Sequence, residues 1–188
     1  MKPIVLFDID STLLNGAKVR SFTAAHLIRK FSKADLRGLG YLIFGRPRDF
    51  LNSPTVKNSF LAPKYYQDAL FEDVLPALKE LKGRASLGIF SQGFARLQRT
   101  KLYLSGVEKY FKRELIFIFP PRKVSKAGQI LAQLPEKKIY FVDDRPDIAE
   151  TLANHRVNVF LIRRSPSPVL RNGRVTVIHS LKEIINFI

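Results

Sequence analysis

The pattern of apolar and polar positions switches between two periods along most of this chain. Nearly continuous apolar runs fall over residues 4–9, 85–90, 115–119, 139–142 and 157–162. Runs of this length and kind predict strands buried on both faces of a parallel sheet. Between them lie segments in which apolar residues recur every three or four positions. Residues 71–82 carry Val74, Leu75, Leu78 and Leu81 on one face, and 94–104, 126–134 and 146–155 form further crossover helices. A last short strand over 175–178 leads into a closing helix over 181–188. Alternation of this sort predicts right-handed crossovers and an α/β fold, a doubly wound parallel sheet whose ligand crevice lies beyond the carboxyl ends of its strands.

Residues 15–66 interrupt the alternation directly after the first strand. They contain two amphipathic segments, one with Phe22, Ala25, Ile28 and Phe31 and the other with Leu36, Leu39, Ile43 and Phe44. Turn signals follow at Gly45-Arg46-Pro47 and Asn52-Ser53-Pro54. The expected organisation is an α/β core made of 1–14 and 67–188, with 15–66 as a small helical cap placed to fold over the crevice. Ser165-Pro166-Ser167-Pro168 is expected to be a short surface loop, and no internal repeat or low-complexity segment is found.

Composition narrows the classes. With 188 residues and 46% hydrophobic content the chain can bury a full core. It holds no apolar stretch of membrane-spanning length, and Asp8 and Asp10 come before any signal-type apolar run, so a soluble cytoplasmic protein is expected. The absence of cysteine excludes disulfides, thiolate metal sites and a thiol nucleophile, leaving a hard, oxygen-held ion as the metal to consider. Lys and Arg number 32 against 16 Asp and Glu, a net +16 that draws anions such as phosphorylated metabolites, nucleic acid or an anionic membrane surface. The positive residues are spread along the whole chain, which also fits a merely basic, solvated surface.

Candidate chemistry gathers where strands are expected to end. Phe7-Asp8-Ile9-Asp10-Ser11-Thr12 sets two carboxylates and a hydroxyl at the close of the first strand. Like charges held this close repel unless a cation lies between them or one carries a proton, so the pair calls for a metal or for acid/base work. A second acidic cluster, Asp143-Asp144-Arg145-Pro146-Asp147, follows the run at 139–142. Ser91 follows the run at 85–90, and Gln92-Gly93 permits a tight turn whose N–H groups can face an anion, although a serine there is also an ordinary helix N-cap. Lys126, with Lys123 just before it, falls where a helix should begin, and a cation at that end opposes the macrodipole, which favours a role in binding an anion.

In this order (acidic motif, serine, lysine, late acidic pair) the chain resembles the haloacid dehalogenase superfamily of phosphohydrolases, whose four motifs occupy successive strand ends. The resemblance covers nearly the whole chain, with the Asp8-Ile9-Asp10-Ser11-Thr12 run as its most specific part; Ser11 stands where many relatives have glycine. It implies a Mg²⁺-dependent phosphomonoesterase acting through an aspartyl-phosphate. Asp8 would be the nucleophile, and Asp10 the general acid and then base, with its carbonyl on the metal. Thr12, Ser91, Gln92 and either Lys126 or Lys123 would hold the phosphoryl oxygens. Mg²⁺ would be held by Asp8, Asp10 and the late acids Asp143, Asp144 and Asp147; the family's usual four-residue spacing between acids joins Asp143 to Asp147. Dehalogenases of the superfamily lack a second carboxylate like Asp10, which favours phosphate ester hydrolysis.

Three other protein classes share parts of this pattern. A receiver domain combines similar residues, but it needs its phosphoryl acceptor on a middle strand, and no aspartate stands directly after the strand that ends at Phe119. A nucleic-acid-binding module that uses the basic surface on an enzyme-like fold leaves the acidic motifs without a task. A phosphatase acting on nucleic-acid ends or nucleotides joins the two ideas. In the cap, Arg20, His26, Arg29, Arg46 and Arg48 are candidates to meet an anionic leaving group.

Overall fold

The computed structural model describes residues 2–44, 58–120, 123–134, 138–155, 157–164 and 171–188. The chain runs β1 (Ile4–Phe7), α1 (Gly16–Lys30), α2 (Lys33–Phe44), α3 (Pro63–Gln67), α4 (Val74–Arg84), β2 (Ser86–Gln92), α5 (Ala95–Leu104), β3 (Ile116–Phe119), α6 (Ala127–Gln133), β4 (Ile139–Asp143), α7 (Pro146–Ala153), β5 (Asn158–Ile162), β6 (Arg171–Asn172) and β7 (Val175–Ile178), and a 3₁₀ segment, Leu181–Phe187, closes it.

The strands form one sheet in the order β3-β2-β1-β4-β5-β7-β6. Six are parallel, and only β6 runs against its neighbour β7. Side chains of β1 alternate between two cores. Val5 and Phe7 pack with Val74, Ala77, Leu78 and Leu81 of α4 and with Leu181 and Ile184, while Ile4 and Leu6 pack with Ala127 and Ile130 of α6 and Ile148, Ala149 and Leu152 of α7. A strand covered on both sides has no polar face, and this is why its sequence is a continuous apolar run. The expected doubly wound α/β architecture is therefore the one observed, and none of the described helices is long and apolar enough to cross a membrane.

Several elements differ in detail from the sequence expectation. Strand β2 continues through Ser91 and Gln92, which pair with Ile118 and Phe119 of β3, because main-chain pairing does not depend on side-chain polarity. The helix expected over 126–134 is observed as α6, preceded by a 3₁₀ turn, Lys123–Lys126, that the sequence reading did not include. The closing helix is 3₁₀, opened by a capping box in which Ser180 and Glu183 each bond the other's backbone N–H. Leu75, one position beyond the inward Val74, is 44% exposed. The short β6, joined to β7 across Gly173, has no counterpart in the expected elements.

Between β1 and α4 the chain leaves the sheet for α1, α2 and α3. The apolar stripes expected to organise α1 and α2 lie largely on the outside, with Ile28 and Phe44 each 84% exposed and Phe31, Leu36, Leu39 and Ile43 exposed as well. The inner side of the pair carries a buried polar hub beside Val19, Leu27, Tyr41 and Leu42, which pack inward. Asp35 accepts hydrogen bonds from the Phe60 N–H (2.9 Å), the Ser32 N–H (2.8 Å) and the Ser32 hydroxyl (2.9 Å), and lies 3.0 Å from His26 Nε2. His26 Nδ1 in turn meets the Tyr65 hydroxyl at 3.3 Å. A small apolar cluster of Phe60, Leu61, Tyr66 and Leu104 joins this helical stretch to α5. The turn signals at 45–47 and 52–54, Arg46, Arg48 and the loop at 165–168 lie outside the described residues.

Candidate active site

Strands β1 and β4 are direct neighbours, with Phe7 level with Val142. The pairing extends one residue further, since the Asp8 N–H donates to the Val142 carbonyl at 2.8 Å. The next residue on each strand is an aspartate, so Asp8 and Asp143 stand side by side on one face of the sheet, about one interstrand spacing (~5 Å) apart. Both are buried, at 7% and 1% exposed. Two carboxylates drawn from water at adjacent strand ends demand a cation or a proton between them.

Past Asp8 the chain folds into a tight loop. The Leu13 and Leu14 N–H groups both donate to the Ile9 carbonyl at 2.9 Å, and the Ser11 N–H donates to the Leu14 carbonyl at 2.7 Å. Ser11 takes φ +61°, the left-handed region that glycine occupies without strain. The same loop buries Thr12 completely and leaves its hydroxyl with no partner among the described residues. Its carbonyl is tied from outside by Arg164, whose Nη2 donates to it at 2.5 Å while Nη1 donates to Asp73 at 2.7 Å.

Asp10 points toward α5. Lys101 Nζ lies 2.8 and 2.7 Å from its two carboxylate oxygens, and Gln98 Nε2 donates to one of them at 3.0 Å. Lys101 is well enclosed, with a side chain 12% exposed, against 38% for Asp10. Gly16 at the start of α1 comes against the same corner: a Cβ there would stand 3.5 Å from Asp10 Oδ1 and 3.4 Å from Arg20 Nη1. Arg20 therefore comes to the neighbourhood of the acidic loop, whereas His26, another candidate cap residue, is buried in the Asp35 network. Arg29 is exposed.

Strand β2 contributes Ser91, 1% exposed, whose hydroxyl also has no partner among the described residues. Ser91 does not cap α5; that position falls to Phe94. The Gln92 carbonyl accepts from Gln98 Nε2 at 2.9 Å, and Gly93, at φ +144°, donates to the Phe119 carbonyl at 2.7 Å. The turn Lys123–Lys126 packs against β2 and α7. Lys126 is exposed at its end, and the side chain of Lys123 lies outside the described residues.

Of the late acids, Asp143 accepts from the Arg145 N–H at 3.1 Å and Asp144 is half-buried beside it. Asp147 is at the surface, where Arg145 binds it through Nη2 at 2.5 Å and Nε at 3.2 Å. That hydrogen bond holds the Asp147 carboxyl below the usual carboxylate range. Among the described residues no three His, Asp or Glu side chains gather into a metal cage. Asp147 is engaged by Arg145 at the surface, while the adjacent pair Asp8 and Asp143, with Asp144 next in the chain, is what the sheet assembles.

Gln98 and Lys101 were not among the residues singled out from sequence. The available signal was their spacing: three positions apart, they share a helix face just after the turn at Gly93.

No protein-family model matches the sequence, and a search of curated proteins found no match. Solved structures do match. A protein of Burkholderia xenovorans LB400 described as a haloacid dehalogenase-like hydrolase is 19% identical, with 98% of this chain and 95% of that one covered at a TM-score of 0.67. A Bacillus subtilis protein described as a HAD-hydrolase, determined bound to magnesium, is 14% identical over 99% and 98% of the two chains at 0.66. L-2-haloacid dehalogenase from Xanthobacter autotrophicus, determined with chloropropionic acid covalently bound, is 14% identical over 100% and 98% at 0.58. These likenesses span both chains almost completely, and they establish that this protein has the fold of the haloacid dehalogenase superfamily.

Proposed function

We propose that this protein is a Mg²⁺-dependent phosphomonoester hydrolase that works through an aspartyl-phosphate on a small phosphorylated metabolite or nucleotide. The observation that carries this reading is the register of β1 on β4, which sets Asp8 beside Asp143, with Asp10 held by Lys101 at the end of the following loop.

The Asp8 carboxylate attacks phosphorus in line, forming the Asp8–phosphorus bond as the ester P–O bond breaks. Asp10 delivers a proton to the departing oxygen, then takes one from the water that attacks the aspartyl-phosphate and releases inorganic phosphate, so that Asp8 and Asp10 return to their starting states. A carboxylate at position 10 favours phosphoryl transfer over dehalogenation, because an alkoxide needs a proton to leave and a halide does not. Thr12 and Ser91 offer buried hydroxyls that a phosphoryl group would partner.

The donor set fits Mg²⁺, which takes oxygen ligands and is usually held by one or two carboxylates together with substrate oxygens and water. Asp8, the Asp10 carbonyl and Asp143 or Asp144 would hold it. When bound, the ion offsets the repulsion between the carboxylate nucleophile and the phosphate dianion. The net charge of +16 supports an anionic substrate.

The test is release of phosphate from a generic aryl phosphate in the presence of Mg²⁺. Activity is expected to vanish in Asp8→Asn and in chelator; turnover that persists under either condition excludes this mechanism.

A further inference from the structure

Leu97, Gln98 and Lys101 share one stripe of helix α5, and Phe94 is its N-cap, three residues before Leu97. Gln98 and Lys101 reach Asp10. Phe94 and Leu97 do not; with Leu42 and Ile43 of α2 and with Arg96 they line a cleft of about 470 Å³. Leu97 precedes Lys101 by four residues, so the cleft lining stands about one helical turn (~5 Å) along α5 from a group that holds Asp10. Arg96 Nη1 donates to the Ile43 carbonyl, fastening the end of α2 to α5 across this space.

The lining is chemically one-sided. Phe94 is 84% exposed and Ile43 is 61% exposed, large apolar side chains left open to solvent beside a candidate catalytic carboxylate. Among the described residues of the lining, Arg96 is the one with a polar side chain. A leaving group rich in hydroxyls would lose water there without gaining partners, whereas an aromatic ring would cover Phe94, Leu97, Leu42 and Ile43.

We infer that this cleft is the leaving-group subsite and that it selects phosphate monoesters of aromatic or arylalkyl alcohols. This rests on the phosphomonoesterase reading above and narrows its substrate class. With the phosphoryl group against Thr12 and Ser91, the ester oxygen would fall near Asp10, and the ring would extend along α5 into the cleft.

The test compares ligands whose leaving groups have similar basicity, so that chemistry does not mask binding. kcat/KM for 2-phenylethyl phosphate should exceed that for ethyl phosphate and for glycerol 3-phosphate by at least about tenfold, the worth of burying an aromatic side group. The non-hydrolysable pair should follow the same order by calorimetry, 2-phenylethylphosphonate binding the wild-type protein with Mg²⁺ at least about tenfold more tightly than ethylphosphonate. In the double variant Phe94→Ser, Leu97→Ser, whose fold is checked by circular dichroism, both ratios should shrink to within about threefold. Equal handling of the phenylethyl and ethyl compounds, or ratios unchanged in the double variant, overturns the subsite. The two proposals fail separately: turnover of all esters without preference removes the subsite and leaves the phosphatase, while selective phosphonate binding without turnover of any ester supports the subsite and removes the phosphatase.

Discussion

Lys101 Nζ touches both carboxylate oxygens of Asp10, bridging 91 residues of sequence at 2.8 and 2.7 Å. The contact is mostly enclosed on the lysine side, and Gln98 supports it from one turn earlier on α5. An acid/base group must meet a leaving oxygen or a water within hydrogen-bond reach, so fixing the carboxylate matters as much as having it. In the proposed mechanism Lys101 would act through Asp10, as a positioning residue.

Lys101→Met should lower kcat on an aryl phosphate by about tenfold to a hundredfold, with KM changed by less than about threefold. Lys101→Arg, which keeps the charge and the reach, should recover part of the loss. Removing the acid itself, Asp10→Asn, should cost more, about 10²–10⁴ in kcat. Steady-state kinetics on one ester decides the matter, and a Lys101→Met enzyme with wild-type kcat would show that the contact is only structural.

Ser91 separates stability from function in the other direction. Its buried hydroxyl has no partner among the described residues, an arrangement that costs about 1–3 kcal/mol. Ser91→Ala should therefore raise the unfolding free energy by about 1 kcal/mol while lowering kcat/KM by about tenfold to a hundredfold through loss of a hydrogen bond to the charged phosphoryl group. Denaturant unfolding and kinetics on the same preparation test both halves. A less stable Ser91→Ala would mean that the hydroxyl is already satisfied in solution.

The strands were legible in the sequence because β1, β2, β4 and β5 are covered on both faces, leaving long apolar runs that few other environments produce. Their last residues were not, since Ser91 and Gln92 belong to β2 by backbone pairing alone. Asp8 and Asp143 were legible as acids breaking apolar runs. Lys101 was not, because its pairing depends on how α5 is rotated against a loop far away in the chain. The helices after β1 show a reversal of pattern. There a buried polar group, Asp35, takes the inner positions that periodicity assigns to Ile28, Phe31, Leu36 and Leu39, and no local rule on apolar spacing detects a polar hub.

Two backbone positions predict changes of opposite sign. A Cβ on Gly88 in β2 would come within 2.5 Å of the Leu115 carbonyl oxygen and 2.6 Å of Leu6 Cδ2, contacts that only a shift of the sheet relieves. Gly88→Ala should destabilise by about 3 kcal/mol. Ser11, at φ +61°, holds the left-handed conformation with a side chain, and Ser11→Gly should stabilise by up to about 1 kcal/mol. Thermal unfolding of both variants checks the pair; a tolerated Gly88→Ala would contradict the close approach of β2 to Leu115.

Asp35 predicts how the helical stretch responds to acid. Burial works against its charge, but the hydrogen bonds from the Phe60 N–H and from Ser32, aided by His26, outweigh that cost and hold its carboxyl below the ordinary value of 3.8. A carboxyl with a lowered value in the folded state favours folding at every pH above its unfolded value. That contribution is lost as the pH falls below 3.8 and through the lower folded value. Hydrogen exchange, corrected for intrinsic rates, should show the amides of Phe60, α1 and α2 losing protection below about pH 4 while β1 stays protected. Asp35→Ala should bring the same loss at neutral pH, at a cost of about 2–4 kcal/mol, because it strands the Phe60 and Ser32 donors in the interior. If the Phe60 amide is equally protected at pH 3 and pH 6, Asp35 does not hold these helices together.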